Sequence, residues 1–292
     1  MSSPKIIEAI IPPPPAHMVG DGFRVHTFFP GGRFNQRRMS PFFMLDYGSK
    51  IDFSASVKQR GVGVHPHAGF ETVTIAYHGK IAHHDSAGNQ GIIGEGDVQW
   101  MTAGAGLLHK EYHEENFSKT GGLFQMVQLW VNLPAKHKKT APKYQEILNE
   151  KMGKAVLENN GGTVEIIAGE YAGTKGPAFT FSPIEMYNLK LNKGATITLP
   201  LPAHYNSGLL VIEGNVEINA NTAPTDHFVL FKNEGETITI QAKENSIVLV
   251  LSGEPINEPI AAYGPFVMNT WEEVEKAIED ANRGKYGVLT DD

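Results

Sequence analysis

Short runs in which apolar and polar residues alternate, separated by glycine and proline, make up most of this chain. Alternation with a period of two is typical of β-strands that bury one face. Strands are predicted in the first half at residues 23–28, 41–46, 71–77, 80–84, 97–101 and 124–133, and in the second half at 163–168, 178–181, 185–191, 195–199, 208–212, 214–218, 227–231, 236–242 and 246–251. Many short strands at this spacing favour an all-β sandwich or barrel.

The two halves have a similar order of strands and turn glycines, which predicts a duplicated β-fold. Gly79 and Gly214 each stand between two predicted strands, and a further glycine precedes a later strand in both halves. A polar, helix-compatible stretch separates the halves. We therefore expect an N-terminal barrel over residues 1–140, a linker over 141–160 and a C-terminal barrel over 161–292.

The last periodic segment predicts one amphipathic helix that closes the chain. Its apolar residues recur at helical spacing, at Val274, Ala277, Ile278 and Ala281. Thr270 suits the N-cap position with Glu273 completing a capping box, and Gly284 suits the stop at the other end.

Composition and charge narrow the range of functions. The 292 residues, 41% of them hydrophobic, can build one large or two medium domains with their own cores. The absence of cysteine excludes disulfides, thiolate metal sites and cysteine nucleophiles. A net charge of −7 argues against direct nucleic-acid binding. The one dense basic run, residues 136–139, is expected to be a solvated surface segment.

Hydropathy along the chain predicts the cellular location of the protein. The N-terminal residues contain no apolar stretch of signal-peptide length, and no 18-residue apolar run occurs anywhere in the chain. We therefore expect a soluble cytoplasmic protein that does not bind membranes.

Two pairs of residues are the strongest chemical signal. His65-Pro66-His67 lies in one strand-like run, and His109-Lys110-Glu111 lies in another. Side chains two apart on a strand project from the same face, so two facing strands can direct four donors at one ion. Three imidazoles and a carboxylate suit Fe(II), Mn, Ni, Cu, Co or Zn, and an octahedral ion held by four donors keeps two positions free for substrate or dioxygen. We expect a mononuclear catalytic site.

Other residues near these pairs have simpler interpretations. His83 and His84 resemble ligands, but adjacent residues on a strand point to opposite faces, so we expect a loop-edge or outer role for them. Gly104-Ala105-Gly106 lacks the Lys-Ser/Thr of a phosphate loop and is expected to form a tight turn that brings His109 into the barrel. Several bulky residues could line an apolar pocket over the metal, although most are expected to be barrel core: Phe42, Phe43, Phe70, Trp100, Met101, Phe124, Met126 and Trp130.

Five runs along the chain closely resemble the pirin family of the cupin superfamily. They are residues 65–72, 99–106, 109–111, 128–134 and 264–270. The resemblance implies a bicupin, two stacked antiparallel β-barrels of jelly-roll type with a C-terminal helix, and one metal ion, usually iron, in the N-terminal barrel. Members of that family include enzymes with quercetin 2,3-dioxygenase activity and nuclear cofactors of transcription.

Carried over to this chain, the family's ligands fall on four residues: His65, His67, His109 and Glu111. The resemblance implies Fe(II) as the metal. Glu71 is an alternative ligand, because in other cupins a glutamate at this distance after the first pair often binds the ion. The second half offers only the single histidines His204 and His227, and one histidine cannot hold a transition metal. We expect the C-terminal barrel to be free of metal.

The resulting hypothesis is a dioxygenase that opens the heterocyclic ring of a flavonol such as quercetin and releases carbon monoxide. The metal would lower the pKa of the flavonol 3-hydroxyl, and Glu111 would accept its proton as general base. The alternative is an iron-dependent redox switch that acts as a transcriptional co-regulator by contacting a protein partner. A third possibility, an enzyme of sugar or organic-acid metabolism, is weakened by the few arginines near the site, of which Arg60 is nearest in sequence. A monomer is expected, and the physiological substrate is left open.

Overall fold

The computed structural model describes residues 2–32 and 34–291. The elements up to residue 132 are β1 (Ile7–Ile11), β2 (His17–Val19), β3 (Phe23–Phe29), β4 (Phe42–Phe53), β5 (Gly61–His67), β6 (Phe70–His78), β7 (Ile81–Asp85), β8 (Gln90–Ile93), β9 (Val98–Thr102), β10 (Leu107–His113), α1 (Glu115–Thr120) and β11 (Gly122–Asn132). The later elements are β12 (Lys143–Ile147), β13 (Gly153–Leu157), β14 (Gly162–Ala168), β15 (Glu170–Tyr171), β16 (Thr174–Lys175), β17 (Ile184–Leu191), β18 (Thr196–Pro200), β19 (Asn206–Glu213), β20 (Val216–Ile218), β21 (Asn221–Ala223), β22 (Phe228–Phe231), β23 (Thr237–Ala242), β24 (Ser246–Gly253), β25 (Ala261–Tyr263), β26 (Phe266–Met268) and α2 (Trp271–Asn282). Single 3-10 turns lie at Ala135–His137 and Asn149–Lys151.

The chain forms two compact β-units, which confirms the duplicated all-β fold. The first barrel unit comprises the described residues of 15–36, 42–149 and 256–292, and the second barrel unit those of 1–14, 37–41 and 150–255. These boundaries differ from the expected division into 1–140 and 161–292. The N-terminal residues join the second barrel unit because β1 pairs with β22, and α2 joins the first because it packs against β25 and β26.

The expected linker is itself built of strands. Within residues 141–160, β12 pairs with β9 of the first barrel unit and β13 pairs with β14 of the second. The prediction of a linker was therefore wrong: the polar residues of this stretch lie partly at exposed positions of two edge strands, as Lys143, Glu146 and Lys154 do, and partly in the turns that follow these strands.

The first barrel unit contains a seven-stranded and a four-stranded antiparallel sheet. The larger has the strand order β12-β9-β6-β11-β4-β3-β2, and the smaller has the order β5-β10-β7-β8. The central strand β6 has eight consecutive buried residues, Phe70 to Tyr77, so both of its faces are covered. Such continuous burial explains why several of its polar side chains must find partners inside the unit.

The second barrel unit repeats this architecture around an apolar interior. Its seven-stranded sheet has the order β1-β22-β19-β24-β17-β14-β13, and its four-stranded sheet has the order β18-β23-β20-β21. The core is made of leucine, isoleucine, valine and a few aromatic residues, including Leu209, Val211, Val250 and Phe231. One predicted strand, 178–181, is irregular instead; Pro177 and Pro183 flank it, and Phe179 packs edge-to-face on Phe181.

The terminal helix begins and ends where the sequence predicts. The Thr270 hydroxyl accepts from the Glu273 backbone N–H, and the Glu273 carboxylate accepts from the Thr270 N–H, so the capping box is complete. Gly284 has φ of +72°, as a glycine stop requires. In the part of the chain that the structure describes, no helix has both the length and the apolarity to cross a membrane.

The basic run 136–139 does not form a wholly solvated segment. Lys138 is only 1% exposed, and its Nζ donates to the Gly69 carbonyl at 2.8 Å, the Asn132 Oδ1 at 2.5 Å and the Val267 carbonyl at 2.7 Å. Burial lowers the pKa of Lys138 to about 7. This ammonium therefore joins three separate segments of the first barrel unit.

Candidate metal centre

Strand β10 brings the two sequence pairs together. His109 lies opposite His65 of β5 on one side and opposite Asp85 of β7 on the other. Glu111 lies opposite His83 of β7. Directly opposed residues of antiparallel strands project to the same face, so one face of the four-stranded sheet receives donors from three strands. The turn Gly104-Ala105-Gly106, with Gly104 at φ +50°, joins β9 to β10 as predicted.

The proline inside the first histidine pair is explained by the position of β5. This strand is the edge of its sheet, where a residue without an N–H removes no hydrogen bond between strands. The N–H of Val64, two residues earlier, points away from β10 and donates to the Asp291 carboxylate at 2.7 Å. Pro66 can therefore separate two same-facing histidines without breaking the sheet.

The three histidines of the pairs lie within coordination distance of a common ion. One ring nitrogen from each of His65, His67 and His109 lies within 4.8 Å of the others. The Nε2 atoms of His65 and His109 are 2.8 Å apart. Two nitrogens bound at right angles to an ion, each about 2.1 Å from it, would be separated by about 3 Å. The donor set therefore fits a transition metal.

Electrostatics keep these imidazoles ready to coordinate. Burial, reinforced by the neighbouring His65, holds the pKa of His67 well below its usual value. Burial likewise lowers the pKa of His109, with His67 as the next cause. The Nδ1 of His65 lies 2.8 Å from the Gly63 carbonyl, which favours the tautomer with a free lone pair on Nε2. Neutral imidazoles with directed lone pairs are what metal binding requires.

Glu111 is held in position by two residues that sequence reasoning did not identify. The Gln128 amide donates to Glu111 Oε2 at 2.6 Å, and the Thr74 hydroxyl donates to Oε1 at 3.1 Å. Gln128 and Thr74 are direct cross-strand neighbours on β11 and β6. Both residues lie within long apolar strands, and only the pairing of those strands brings them under the carboxylate.

His83 lies beside the donors rather than at a loop edge. It is fully buried, neither ring nitrogen has a hydrogen-bond partner among the described residues, and its Nε2 is 3.7 Å from the Asp85 carboxylate. One of its nitrogens lies within 4.8 Å of donor atoms of both His109 and Glu111. His84 points to the other face, where its Nδ1 meets the Tyr112 hydroxyl at 2.6 Å. Of the loop-edge or outer role expected for His83, the loop edge was wrong because His83 is buried in β7, while an outer role beside the donors stays a prediction. The opposite orientation of the two histidines is as predicted.

The alternative ligand Glu71 faces away from the donors. On β6 it is three residues from Thr74, which contacts Glu111, so the two side chains project from opposite faces of the strand. Its carboxylate accepts from the Thr102 hydroxyl at 2.7 Å, and burial raises its pKa to about 7. In the second barrel unit, His204 is exposed and His227 meets the Thr225 carbonyl at 3.0 Å. Both groups of three donor residues found in the described chain belong to the first barrel unit.

A mostly apolar cavity of about 220 Å³ opens beside the donors. Its apolar walls are Val19, Phe23, Val25, Met44, Val62, Met126, Trp130 and Pro265. Its polar positions are Asp46, His65, His67, Glu111 and Gln128. Of the bulky residues that the sequence offered as pocket lining, Met126 and Trp130 take part. Most of the others are core residues, as expected.

Known proteins resemble the chain over almost its whole length. Residues 22–131 match the family described as Pirin, and residues 186–287 match the Pirin C-terminal cupin domain. Human Pirin is 36% identical over 92% of this chain and 89% of its own length. This chain belongs to the pirin family. The resemblance inferred from five short runs, and the bicupin fold that it implies, are thus confirmed.

Two further proteins that resemble this chain have names that describe an activity. A Pseudomonas aeruginosa protein named "Putative quercetin 2,3-dioxygenase" is 44% identical over 92% of this chain and 94% of its own length. The crystal structure of quercetin 2,3-dioxygenase from Acinetobacter baumannii has 47% sequence identity to this chain and a TM-score of 0.93. The match covers 98% of this chain and 100% of that one.

Proposed function

We propose that this protein is a metal-dependent dioxygenase that cleaves the heterocyclic ring of a flavonol such as quercetin. The observation that carries the proposal is the donor group of His65, His67 and His109, which shares His109 with a second group of His83, His109 and Glu111. A cavity with mostly apolar walls lies beside these donors, and His65, His67 and Glu111 line it. Support comes from the similarity to two proteins named for quercetin 2,3-dioxygenase activity. The overall reaction consumes one flavonol and one dioxygen and yields a depside and carbon monoxide.

The four donors are proposed to hold a single ion, with Fe(II) as the metal implied by the resemblance to the pirin family. His65, His67 and His109 supply imidazole nitrogen and Glu111 supplies carboxylate oxygen, a set that also suits Mn, Ni, Cu, Co or Zn. A bound metal supplies Lewis acidity that lowers the pKa of a coordinated hydroxyl group. His83 is a further buried donor beside this set.

Glu111 is the proposed general base. Its carboxylate lines the cavity and accepts the proton of the flavonol 3-hydroxyl at a side-chain oxygen. Gln128 and Thr74 hold this carboxylate by hydrogen bonds to its two oxygens, and so act as positioning residues. The apolar walls, Trp130 and Met126 among them, bind the flat aromatic rings and keep water away from the deprotonated substrate.

Oxygen uptake by the iron-loaded protein tests this proposal. The protein is purified without oxygen, analysed for metal, and mixed with quercetin while dioxygen consumption and carbon monoxide are measured. His109→Ala should lose both metal and uptake. His84→Ala is the matched control, because that histidine points to the opposite face of the same sheet. Uptake that persists in metal-free protein would refute the mechanism, and stoichiometric iron without turnover would favour the regulatory alternative.

A further inference from the structure

A row of polar side chains crosses the seven-stranded sheet beneath the cavity. Cross-strand pairing aligns Thr27 of β3, Asp46 of β4, Gln128 of β11, Thr74 of β6 and Gln99 of β9. Opposed residues share a face, so the row lies on the face from which Gln128 lines the cavity. Glu111 accepts hydrogen bonds from the middle of this row, as described above.

Of the two members of the row that line the cavity, Gln128 and Asp46, the proposed mechanism does not use Asp46. It lines the cavity together with His65, His67 and Glu111, and it is only 7% exposed. Asp46 is the cross-strand neighbour of Gln128, on the strand next to β11. The Thr27 hydroxyl donates to its Oδ1 at 2.5 Å. Within the described residues, Thr27 is the one protein group that donates a hydrogen bond to this carboxylate, which leaves Oδ2 available to a ligand.

A carboxyl group in this position is costly without a further partner. Several residues that line the cavity with it are apolar, among them Val25 and Met44. Burial raises the pKa of Asp46 above its usual value, against the opposing effects of the Thr27 hydrogen bond and of nearby His17. An ionised carboxylate only accepts hydrogen bonds, so a complementary ligand must present a donor at this point. Aromatic hydroxyl groups are such donors, and the flat rings that carry them suit the apolar walls of the cavity.

We propose that Asp46 accepts a hydrogen bond from a second hydroxyl of the substrate, one not bound to the metal, and thereby selects polyhydroxylated flavonols. This inference rests on the proposed function, because it places the 3-hydroxyl end of the flavonol at the metal donors. Asp46 then contacts the substrate at a distance from the reacting bonds and determines specificity.

Binding of two flavonols under argon tests the inference separately from catalysis. Quercetin carries hydroxyls on several rings, whereas 3-hydroxyflavone keeps only the chelating hydroxyl. Their affinities are measured by titration calorimetry on the metal-loaded protein and on Asp46→Asn, which removes an acceptor oxygen at nearly constant shape. We expect Asp46→Asn to lose about 10- to 100-fold in affinity for quercetin and to bind 3-hydroxyflavone as the unchanged protein does.

Two further variants exclude a trivial loss of structure. Asp46→Leu should bind quercetin less tightly and 3-hydroxyflavone more tightly, and misfolding cannot produce changes of opposite sign. Asp52→Asn, at an exposed position of the same strand, should change neither affinity. An equal loss for both flavonols in Asp46→Asn, or no loss, would overturn the role of Asp46 while leaving the proposed function intact. Failure of the unchanged protein to bind either flavonol would overturn both.

Discussion

Replacing Glu71 by glutamine should alter how the stability of the first barrel unit depends on pH. Burial raises the pKa of this carboxyl from 4.5 to about 7, against the opposing effect of the hydrogen bond from Thr102. Between these values the folded state keeps a proton that the unfolded state releases, so stability falls as pH rises. At about 1.4 kcal/mol for each pKa unit, the carboxyl lowers the free energy of unfolding by about 3 kcal/mol above pH 7.

Glutamine keeps the shape of the protonated acid and does not ionise. The stability of Glu71→Gln relative to the unchanged protein should therefore increase by about 2.5 kcal/mol between pH 5 and pH 8. Urea unfolding of metal-free protein, followed by tryptophan fluorescence, measures this difference. The three tryptophans, Trp100, Trp130 and Trp271, all belong to the first barrel unit, so the signal reports on the unit that contains Glu71.

Two results would refute this reasoning about Glu71. A stability difference that stays constant with pH would mean that the carboxyl ionises normally in the folded protein. Loss of metal in Glu71→Gln would mean that Glu71 is a metal ligand, although its side chain projects from the face of β6 opposite to Thr74. Glu146→Gln, at an exposed position of β12, is the control and should leave the pH dependence unchanged.

Three other substitutions test the site and its support. Gln128→Leu should retain metal but lose about 10- to 100-fold in kcat with quercetin, because Glu111 loses a charge-assisted hydrogen bond; unchanged kcat would contradict the positioning role. His83→Ala should weaken metal binding by about tenfold in competition with a chelator, whereas His84→Ala should not, and equal affinities would show that His83 does not contribute. Lys138→Met should destabilise the first barrel unit by about 3 kcal/mol in urea, because three buried acceptors lose their donor; a loss below about 1 kcal/mol would contradict this account.

The sequence was most informative where the physics is local. Side chains two apart on a strand project from the same face. Spacing alone therefore predicted that His65 and His67 share a face of their strand, and that His109 and Glu111 share a face of theirs. The helix cap at Thr270 and Glu273 depends on residues three apart and was predicted correctly. The family resemblance then predicted the duplicated barrel, which the similar order of strands and turn glycines in the two halves only suggested.

Residues whose role depends on strand pairing could not be found in this way. Gln128 reaches Glu111 only because β11 lies beside β6, and Asp46 joins the same row only because β4 lies beside β11. Lys138 stands in a basic run typical of an exposed loop, yet three acceptors from distant segments surround its ammonium. Local pattern contains no information about such partners, which are set by topology and register.

The edge position of β5 has a consequence for association between molecules. An exposed edge strand offers N–H groups to which a strand of another chain can add, and this is a common route to aggregation. Here the Val64 N–H is already bound by Asp291, and Pro66 has none to offer. The strand that carries two of the metal donors is thus a poor template for strand addition, even before an ion binds.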